Sequence, residues 1–205
     1  MLKMRLATPE DAERILEIYT PYVLKTAVTF ETEPPDLSEI QRRIRTVSAV
    51  YPYLVCELNG RVIAYAYAHR YLERAAYEWS AELSVYVEEA YCQHFSIGTA
   101  LYTALRDILA RQNVQNLYAL VSGENKKSIA LHKKIGFRKI AVYEQIAYKR
   151  NCWHDVVVFQ MLLGEHQNPP SALIPLPSLN DGEVEKILRR CQSLLKMNGT
   201  VFRRR

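Results

Sequence analysis

Apolar and polar residues alternate over residues 79–87, and this period of two predicts a β-strand. A short polar turn over residues 93–98 follows, after which apolar residues recur at helical spacing from Ile97 to Ile108. A strand, a turn of small residues and a helix in this order direct free backbone N–H groups towards an anion. Because Glu82 lies in the strand just upstream, the stretch combines a candidate phosphate-binding turn with a candidate base.

The hydrophobic pattern divides the rest of the chain into further strands and helices. We expect strands at residues 3–7, 53–58, 61–68, 116–122, 137–148 and 156–163, and helices that begin near residues 8, 36 to 38, 97, 128 and 184. Asn59-Gly60 predicts a hairpin, because both residues tolerate positive φ. Residues 149–155 are expected to connect the last two strands, and residues 29–35 to form a loop that exposes Phe30. This mixture favours an α+β or α/β fold whose sheet is covered on both faces.

Prolines at positions 169, 170, 175 and 177 mark a break late in the chain. We therefore expect one domain over residues 1–164, followed over residues 165–205 by a proline-containing linker and a basic amphipathic helical tail. Of the net charge of +5, the tail carries 7 − 4 = +3, which leaves +2 for the body. A nearly neutral body does not indicate a nucleic-acid surface. The tail helix is expected to dock on the body, pair with another subunit, contact an acidic partner or remain a solvated appendage.

The pattern indicates neither a membrane protein nor a metalloprotein. No apolar run is long enough to span a bilayer, and the first residues do not resemble a signal peptide. The four cysteines form no C-x-x-C pair, which indicates reduced thiols and a cytoplasmic location. The five histidines show no metal-ligand spacing, so we expect no metal cofactor.

Seven short motifs follow one another in an order that is more specific than any of them alone. They lie at residues 28–34, 74–82, 85–87, 93–98, 125–132, 136–137 and 153–156, with Gln93-x-x-Ser96-x-Gly98 in place of a Q/R-x-x-G-x-G/A motif. Through these motifs, residues 3–163 resemble the GCN5-related N-acetyltransferase superfamily, and most closely its phosphinothricin acetyltransferase-like group. The resemblance implies acetyl transfer from acetyl-CoA to a primary amine. It also implies a twisted mixed sheet whose two central parallel strands splay, so that the pantetheine arm hydrogen-bonds like an added strand.

The same resemblance implies a cofactor site of three segments. They comprise Val85, Tyr86 and Val87, then Gln93, His94, Phe95, Ser96, Ile97, Gly98 and Thr99, and finally Asn125 and Ser128. The second segment would hold the pyrophosphate, and the backbone N–H of Val87 would polarise the thioester carbonyl. Phe95 and Ser96 stand where the family has small residues or glycine. Because Ser96 enters left-handed backbone only at a cost of about 1 kcal/mol, we expect weakened CoA binding.

Glu82 and His132 match the catalytic positions of the family. An ammonium group of pKa ~10 must lose a proton before it attacks a thioester, and Glu82 would accept that proton directly or through a water. The alternative for Glu82 is an ordinary solvated carboxylate. His132, as an imidazolium near neutral pH, would protonate the departing CoA thiolate. A base, a substrate orienter and a histidine packed on a helix are the alternatives for His132.

Arg74, Tyr77 and Phe30 match positions that contact the amino-acid acceptor in this group, with Phe30 as a wall of the pocket. A second cation often lies two positions before Arg74, where this chain has Leu72. A lone arginine can hold one carboxylate bidentately but is poorer at holding two anionic groups. This disfavours phosphinothricin itself and leaves acceptors similar to methionine sulfone or sulfoximine, or other amino acids, open.

Two further functions are consistent with the sequence. A non-catalytic acyl-CoA-binding regulatory module is suggested by Phe95, Ser96 and Leu72. Acetylation of a protein N-terminus or lysine is the other, although the nearly neutral body disfavours it. The resemblance implies a homodimer. The Trp-His-Asp run at residues 153–155 is expected to be structural, at the entry of a strand, rather than part of a triad.

Overall fold

The computed structural model describes residues 1–92 and 95–195 and contains a seven-stranded mixed sheet with helices on both faces. The strands are β1 (Leu2–Leu6), β2 (Tyr53–Leu58), β3 (Arg61–Arg70), β4 (Ser80–Val87), β5 (Asn116–Ser122), β6 (Arg138–Lys149) and β7 (Cys152–Leu162). The helices are α1 (Ala12–Lys25), α2 (Leu37–Ser48), α3 (Ile97–Arg111), α4 (Lys126–Lys134) and α5 (Asp181–Gln192). Strand order is β1-β2-β3-β4-β5-β7-β6, with β4 and β5 parallel and the other neighbours antiparallel. The predicted mixed sheet with a central parallel pair is confirmed.

Local signals in the sequence account for where several elements begin. The backbone N–H of Thr8 donates to Asp11 at 2.8 Å, and Pro9–Asp11 forms a 3₁₀ turn that leads into α1. Asp36 caps α2 by accepting the Glu39 N–H at 2.7 Å, which selects Asp36 over Ser38 as the start. The Asn59-Gly60 turn has φ values of 52° and 84°, as its sequence predicts.

Each face of the sheet has its own apolar core. Helices α1 and α2 cover one face, which we call the α1 face, and α3, α4 and α5 cover the other, which we call the α3 face. Strand β4 contributes to both, because its side chains alternate. Ala81 and Leu83 are buried on the α3 face, whereas Tyr86 packs edge-on against Tyr19 of α1 with ring centroids 5.0 Å apart. The predicted two-faced character of β4 is therefore confirmed.

The connection between the last two strands is shorter than predicted. Only Arg150 and Asn151 separate β6 from β7, and they turn the chain with φ values of 54° and 58°. Residues 152–155 therefore belong to β7 instead of a loop, because two residues in left-handed backbone suffice for a hairpin. Phe30 is also half-buried rather than exposed, with its ring centroid 6.1 Å from that of His154.

The tail helix α5 docks on the body of the protein. Four of its residues are buried in the core of the α3 face, namely Val184, Ile187, Leu188 and Cys191. Gln192 accepts the backbone N–H of Met4 at 3.2 Å, and Arg190 contacts Asp107 of α3 at 2.7 Å. Among the described residues, no helix has the length and apolar character needed to cross a bilayer. The basic end from residue 196 onward lies outside the described residues.

We expect Leu188→Ala to lower the free energy of unfolding by about 2–3 kcal/mol, because it removes buried apolar contacts between α5 and the sheet. Lys186→Ala, an exposed position of the same helix, serves as the control and should change stability by less than about 0.5 kcal/mol. Urea unfolding measures both variants. Equal stability of the two variants would show that α5 is energetically independent of the domain.

Candidate active site

The central feature of the site is a gap between β4 and β5. The two strands pair only through Ser80–Glu82 and Asn116–Tyr118, although β4 continues to Val87 and β5 to Ser122. A narrow cleft of about 50 Å³ lies between the diverging ends. Residues 83–86 line one side, residues 119–122 the other, and Asn125, Ser128 and His132 close it. The predicted splay of the central parallel strands is thus confirmed.

Backbone groups of β4 point into this gap. Glu88, just after β4, lies opposite Ile63 of β3 and donates its N–H to the Ile63 carbonyl at 2.8 Å. Glu88 and Ile63 are therefore a hydrogen-bonded pair of the antiparallel ladder. Hydrogen-bonded and non-hydrogen-bonded pairs alternate in an antiparallel ladder. The N–H groups of Val85 and Val87, opposite Ala66 and Ala64, therefore face away from β3 and towards β5. No strand pairing to β5 engages these two residues within the described chain, so they can pair with an extended ligand.

Two polar side chains of the cleft also fit an amide-containing ligand such as pantetheine. Ser122 is 2% exposed, and its hydroxyl has no hydrogen-bond partner among the described residues. Such a buried hydroxyl is costly unless a ligand pairs with it. Asn125 caps α4 through its Oδ1, which accepts the Ser128 N–H at 3.1 Å, and this leaves its amide hydrogens for the cleft.

The turn before α3 adopts the strained backbone that its sequence indicates. Phe95 and Ser96 have φ values of 62° and 54°, both left-handed. Ser96 is the N-cap of α3, yet its side chain makes no capping hydrogen bond. The first-turn N–H groups at Ile97, Gly98 and Thr99 thus lack a cap and suit an anion. Gln93 and His94, the first residues of the predicted turn, lie outside the described residues.

Gly98 has a structural reason to be glycine. A Cβ atom at this position would lie 2.9 Å from Leu131 Cδ2 of α4. A side chain at this position would therefore require the Leu131 side chain to shift.

Glu82 is mostly buried on the α1 face of β4, opposite His69 of β3 and beside Tyr118 of β5. Burial raises the pKa of the Glu82 carboxyl, and His69 opposes this shift in part. A carboxylate with a raised pKa is a stronger base than an exposed one. This environment is what a general base requires.

His132 is 1% exposed and forms a hydrogen-bonded series with its neighbours. Its Nδ1 lies 2.8 Å from the Ser128 carbonyl, an acceptor, so Nδ1 carries the proton. Its Nε2 lies 3.0 Å from the Tyr102 hydroxyl and accepts from it. The Tyr102 hydroxyl is also 3.3 Å from the Leu83 carbonyl. The single proton of this hydroxyl therefore has two possible acceptors, His132 Nε2 and the Leu83 carbonyl oxygen.

The environment of His132 disfavours the imidazolium that the sequence suggests. Burial lowers the pKa of His132, although its bond to Ser128 opposes the shift. The ring is therefore neutral near pH 7. Tyr102, which also lines the cleft, is the hydroxyl donor nearest to His132, and burial raises its pKa. The sequence analysis missed Tyr102 because it lies in the apolar stripe of α3, although a buried tyrosine hydroxyl requires a partner.

The predicted acceptor residues are not brought together. Arg74 and Tyr77 are exposed on the turn before β4, and the Arg74 guanidinium has no partner in the described part of the chain. Phe30 instead contacts His154. Because Val156 of β7 pairs with Ser122, the last residue of β5, His154 lies beyond the opposite end of the β4–β5 pair.

The Trp-His-Asp run makes structural contacts. His154 places its Nε2 2.8 Å from the Lys149 carbonyl and its Nδ1 3.1 Å from Glu124. Asp155 accepts the backbone N–H of Gln145 at 2.9 Å, which supports an irregular position in β6. The described residues contain no group of three or more His, Cys, Asp or Glu side chains placed to hold a metal ion.

Comparisons with known proteins agree with this geometry. Residues 4–158 match the acetyltransferase (GNAT) domain family. The chain is 30% identical to the phosphinothricin N-acetyltransferase of Streptomyces viridochromogenes, covering 87% of this chain and 96% of that one. It is 31% identical to the L-methionine sulfoximine/L-methionine sulfone acetyltransferase of Salmonella typhimurium, covering 82% and 98%. The crystal structure of a phosphinothricin acetyltransferase from Sinorhizobium meliloti in complex with acetyl-CoA superimposes with a TM-score of 0.80 at 31% identity, covering 85% and 96%.

The chain therefore belongs to the GNAT acetyltransferase family. It is an acetyl-CoA-dependent N-acetyltransferase, similar at moderate identity to the phosphinothricin and methionine sulfoximine enzymes. The predicted co-substrate, acetyl-CoA, is bound in that crystal structure, and the unpaired N–H groups of Val85 and Val87 suit the amides of its pantetheine arm.

We expect Ser96→Gly to raise the free energy of unfolding by about 0.5–1 kcal/mol, because glycine adopts φ = 54° without steric cost. Ser96→Ala retains the Cβ atom and should give no gain. Thermal unfolding of the two variants distinguishes them. The strain assigned to this turn would be refuted if the alanine variant were as stable as the glycine variant.

Proposed function

We propose that the protein transfers the acetyl group of acetyl-CoA to the primary amine of a small amino-acid-like acceptor, in the manner of the phosphinothricin and methionine sulfone or sulfoximine enzymes. The observation that carries the proposal is the splayed β4–β5 cleft with a buried carboxylate beside it. The amine attacks the thioester directly. The N–C bond forms, the C–S bond breaks, and CoA leaves.

Glu82 is the general base of this proposal. It removes the proton from the acceptor ammonium, directly or through a water, and passes it to solvent. The raised pKa of Glu82 makes this transfer easier than for an exposed carboxylate. The pantetheine arm pairs with the N–H groups of Val85 and Val87, and the Val87 N–H polarises the thioester carbonyl. The remaining cofactor contacts are those named above for the turn before α3 and for Asn125 and Ser128.

Tyr102 stabilises the departing thiolate, with His132 as its positioning residue. A thiol has a pKa of about 8.5, so a hydrogen bond suffices to make the thiolate a good leaving group near neutral pH. The raised pKa of Tyr102 favours donation of a hydrogen bond without loss of the proton. The thiolate later takes its proton from solvent. Because the phenol has one proton, it turns that proton from His132 Nε2, 3.0 Å away in the free protein, to the thiolate, while edge-on packing against His132 at 5.0 Å keeps the ring in place.

The acceptor lies on the α1 face, where Phe30 walls the pocket. Arg74 offers a free guanidinium for a carboxylate, and Tyr77 extends beside it. Arg74 precedes the start of β4, whereas Phe30 lies beside His154, beyond the end of β5.

We also propose a homodimer and a cytoplasmic location. Strand β6 has a free edge and exposes Ile140, Tyr143, Ile146 and Tyr148, which a second copy of the chain can cover. Analytical ultracentrifugation tests the dimer, and a monomer mass at micromolar protein concentration would contradict it. The four cysteines are all free, as expected in a reducing compartment. Fractionation of the source cells tests that location, and recovery outside the cytoplasm would contradict it.

We expect Glu82→Gln to lower kcat at least about 100-fold on an accepted amine, with little change in the KM for acetyl-CoA. The decrease in rate at acidic pH should also disappear, because glutamine has no carboxylate to protonate. The variant should also be more stable than the wild type above the raised pKa of Glu82, because the buried charge is removed. This gain should vanish as the pH falls below the pKa of an unfolded glutamate, about 4.3.

Release of CoA, measured across amino-acid analogues, provides the readout. Wild-type activity in the Gln variant would remove Glu82 from the mechanism. Binding of acetyl-CoA without turnover of any amine would instead favour a non-catalytic acyl-CoA-binding module.

We expect Tyr102→Phe to lower kcat about 10–100-fold, because the thiolate loses its hydrogen-bond donor while the ring still packs. If His132 acts through Tyr102, adding His132→Ala should cause little further loss of kcat. His132→Asn, which retains a polar side chain, should be milder than His132→Ala on the wild-type background. Fully additive losses in the double variant would contradict a positioning role.

A further inference from the structure

A histidine that takes no part in the reaction described above lies directly opposite Glu82. His69 of β3 pairs with Glu82 of β4, and opposed residues of an antiparallel ladder point to the same face of the sheet. Because Glu82 is on the α1 face, the His69 ring is there too, beside Tyr67 with ring centroids 5.9 Å apart. Glu82 and His69 are each half-buried, so a ligand at the surface of the protein can contact both.

The hydrogen bond of His69 determines which ring nitrogen carries the proton. Nδ1 lies 2.8 Å from the carbonyl oxygen of Arg70, which can only accept, so Nδ1 donates. Nε2 of the neutral ring is therefore an acceptor, and it has no partner in the described part of the chain. Because the backbone holds the other ring nitrogen, Nε2 keeps its direction. His69 thus offers one hydrogen-bond acceptor beside the carboxylate of Glu82.

The spacing between Glu82 and His69 suits a single nitrogen atom placed between them. Within the residues that the structure describes, no hydrogen bond or ion pair joins the two side chains directly. Opposed Cβ atoms of an antiparallel ladder are about 4.5–5.5 Å apart. Two acceptors that bind the same tetrahedral nitrogen, each at about 2.9 Å, lie about 4.7 Å apart. An amine can therefore bridge the carboxylate and Nε2 without displacement of either strand.

Aromatic rings close the side of Glu82 that faces the start of β4. Tyr71, just after β3, stacks on Tyr118 of β5 with ring centroids 4.0 Å apart, so the two rings meet across β4. Burial raises the pKa of Tyr71 to about 12, and the negative charge of Glu82 contributes to this shift. The phenol is therefore neutral near pH 7. The two rings limit the directions from which a ligand can approach Glu82, and the side towards His69 remains.

Glu82 also marks the closed end of the cleft. Its pair with Tyr118 is the last between β4 and β5, so the gap opens one residue further on, at Leu83. The Leu83 carbonyl lies 3.3 Å from the hydroxyl of Tyr102, the proposed partner of the thiolate. An amine between Glu82 and His69 is therefore next to the end of the gap where the C–S bond breaks in the proposed function.

We propose that Glu82 and His69 together hold the amine of the acceptor, with His69 Nε2 as the second hydrogen-bond acceptor. The proposal rests on the proposed function and adds to it a reason for the selection of primary amines. A primary amine that has lost a proton to Glu82, and through it to solvent, retains two N–H groups. One donates to Glu82 and the other to His69, which leaves the lone pair free for the thioester carbon. A secondary amine retains one N–H group and cannot satisfy both acceptors.

Two substitutions of His69 separate the roles of its ring nitrogens. The amide of asparagine lies near the position of Nδ1, so His69→Asn keeps the contact with Arg70, whereas His69→Gln keeps an acceptor near the position of Nε2. We expect His69→Asn to lower kcat/KM for methionine sulfone about 10–100-fold, because a hydrogen bond to the reacting amine is lost. His69→Gln should lower it less than about threefold. His69→Asn should also reduce the preference for methionine sulfone over its N-methyl derivative, and neither variant should change the KM for acetyl-CoA.

Calorimetric titration of methionine sulfone into the CoA-bound protein separates this proposal from the proposed function. Binding that is weakened by His69→Asn but not by His69→Gln supports the proposal even if no acceptor is acetylated, an outcome that would refute only the proposed function. Weaker binding to the glutamine variant than to the asparagine variant would assign His69 a structural role through Arg70 and overturn the proposal. Equal losses in the two variants, no change in either, or no binding to the wild type would overturn it as well.

Discussion

The active-site cleft exists because the two central parallel strands, β4 and β5, pair over only part of their length. β4 and β5 pair at three positions and then diverge, yet each is held on its outer edge by seven pairs, to β3 and to β7 respectively. The outer pairing keeps both strands rigid while the inner edges open. Unpaired backbone groups inside a protein are costly, so the gap is stable only if solvent or a ligand pairs with them. In the proposed function, the pantetheine arm of the cofactor fills this missing stretch of sheet.

Burial near this gap favours the uncharged forms of the two titratable side chains Glu82 and His132. It raises the pKa of Glu82 and lowers that of His132, so both shifts favour the neutral form. In the proposed mechanism Glu82 becomes a better base by this means, and His132 accepts a hydrogen bond from Tyr102. The reaction of that mechanism also proceeds between uncharged partners once the amine has lost its proton.

The local pattern of the sequence predicts most of the elements but few of the contacts between them. The alternation over residues 79–87 places Glu82 and Leu83 on opposite faces, and Asn59-Gly60 forms its hairpin, because both depend on neighbouring residues only. The hairpin at Arg150 and Asn151 was missed because neither residue is glycine, although both adopt positive φ. Tyr102 was missed for another reason. Its place in the site depends on a contact between distant segments, its 3.0 Å hydrogen bond to His132, that no local period records.

Hydrogen exchange of individual amides tests the central claim, that the pantetheine arm of CoA replaces the missing part of the sheet. The N–H groups of Val85 and Val87 face the gap, whereas that of Tyr86 faces β3 and is already bonded there. Saturating CoA should therefore slow exchange at Val85 and Val87 and leave Tyr86, protected from the start, nearly unchanged. Unchanged exchange at Val85 and Val87 with CoA bound would show that the cofactor lies elsewhere and would contradict the account.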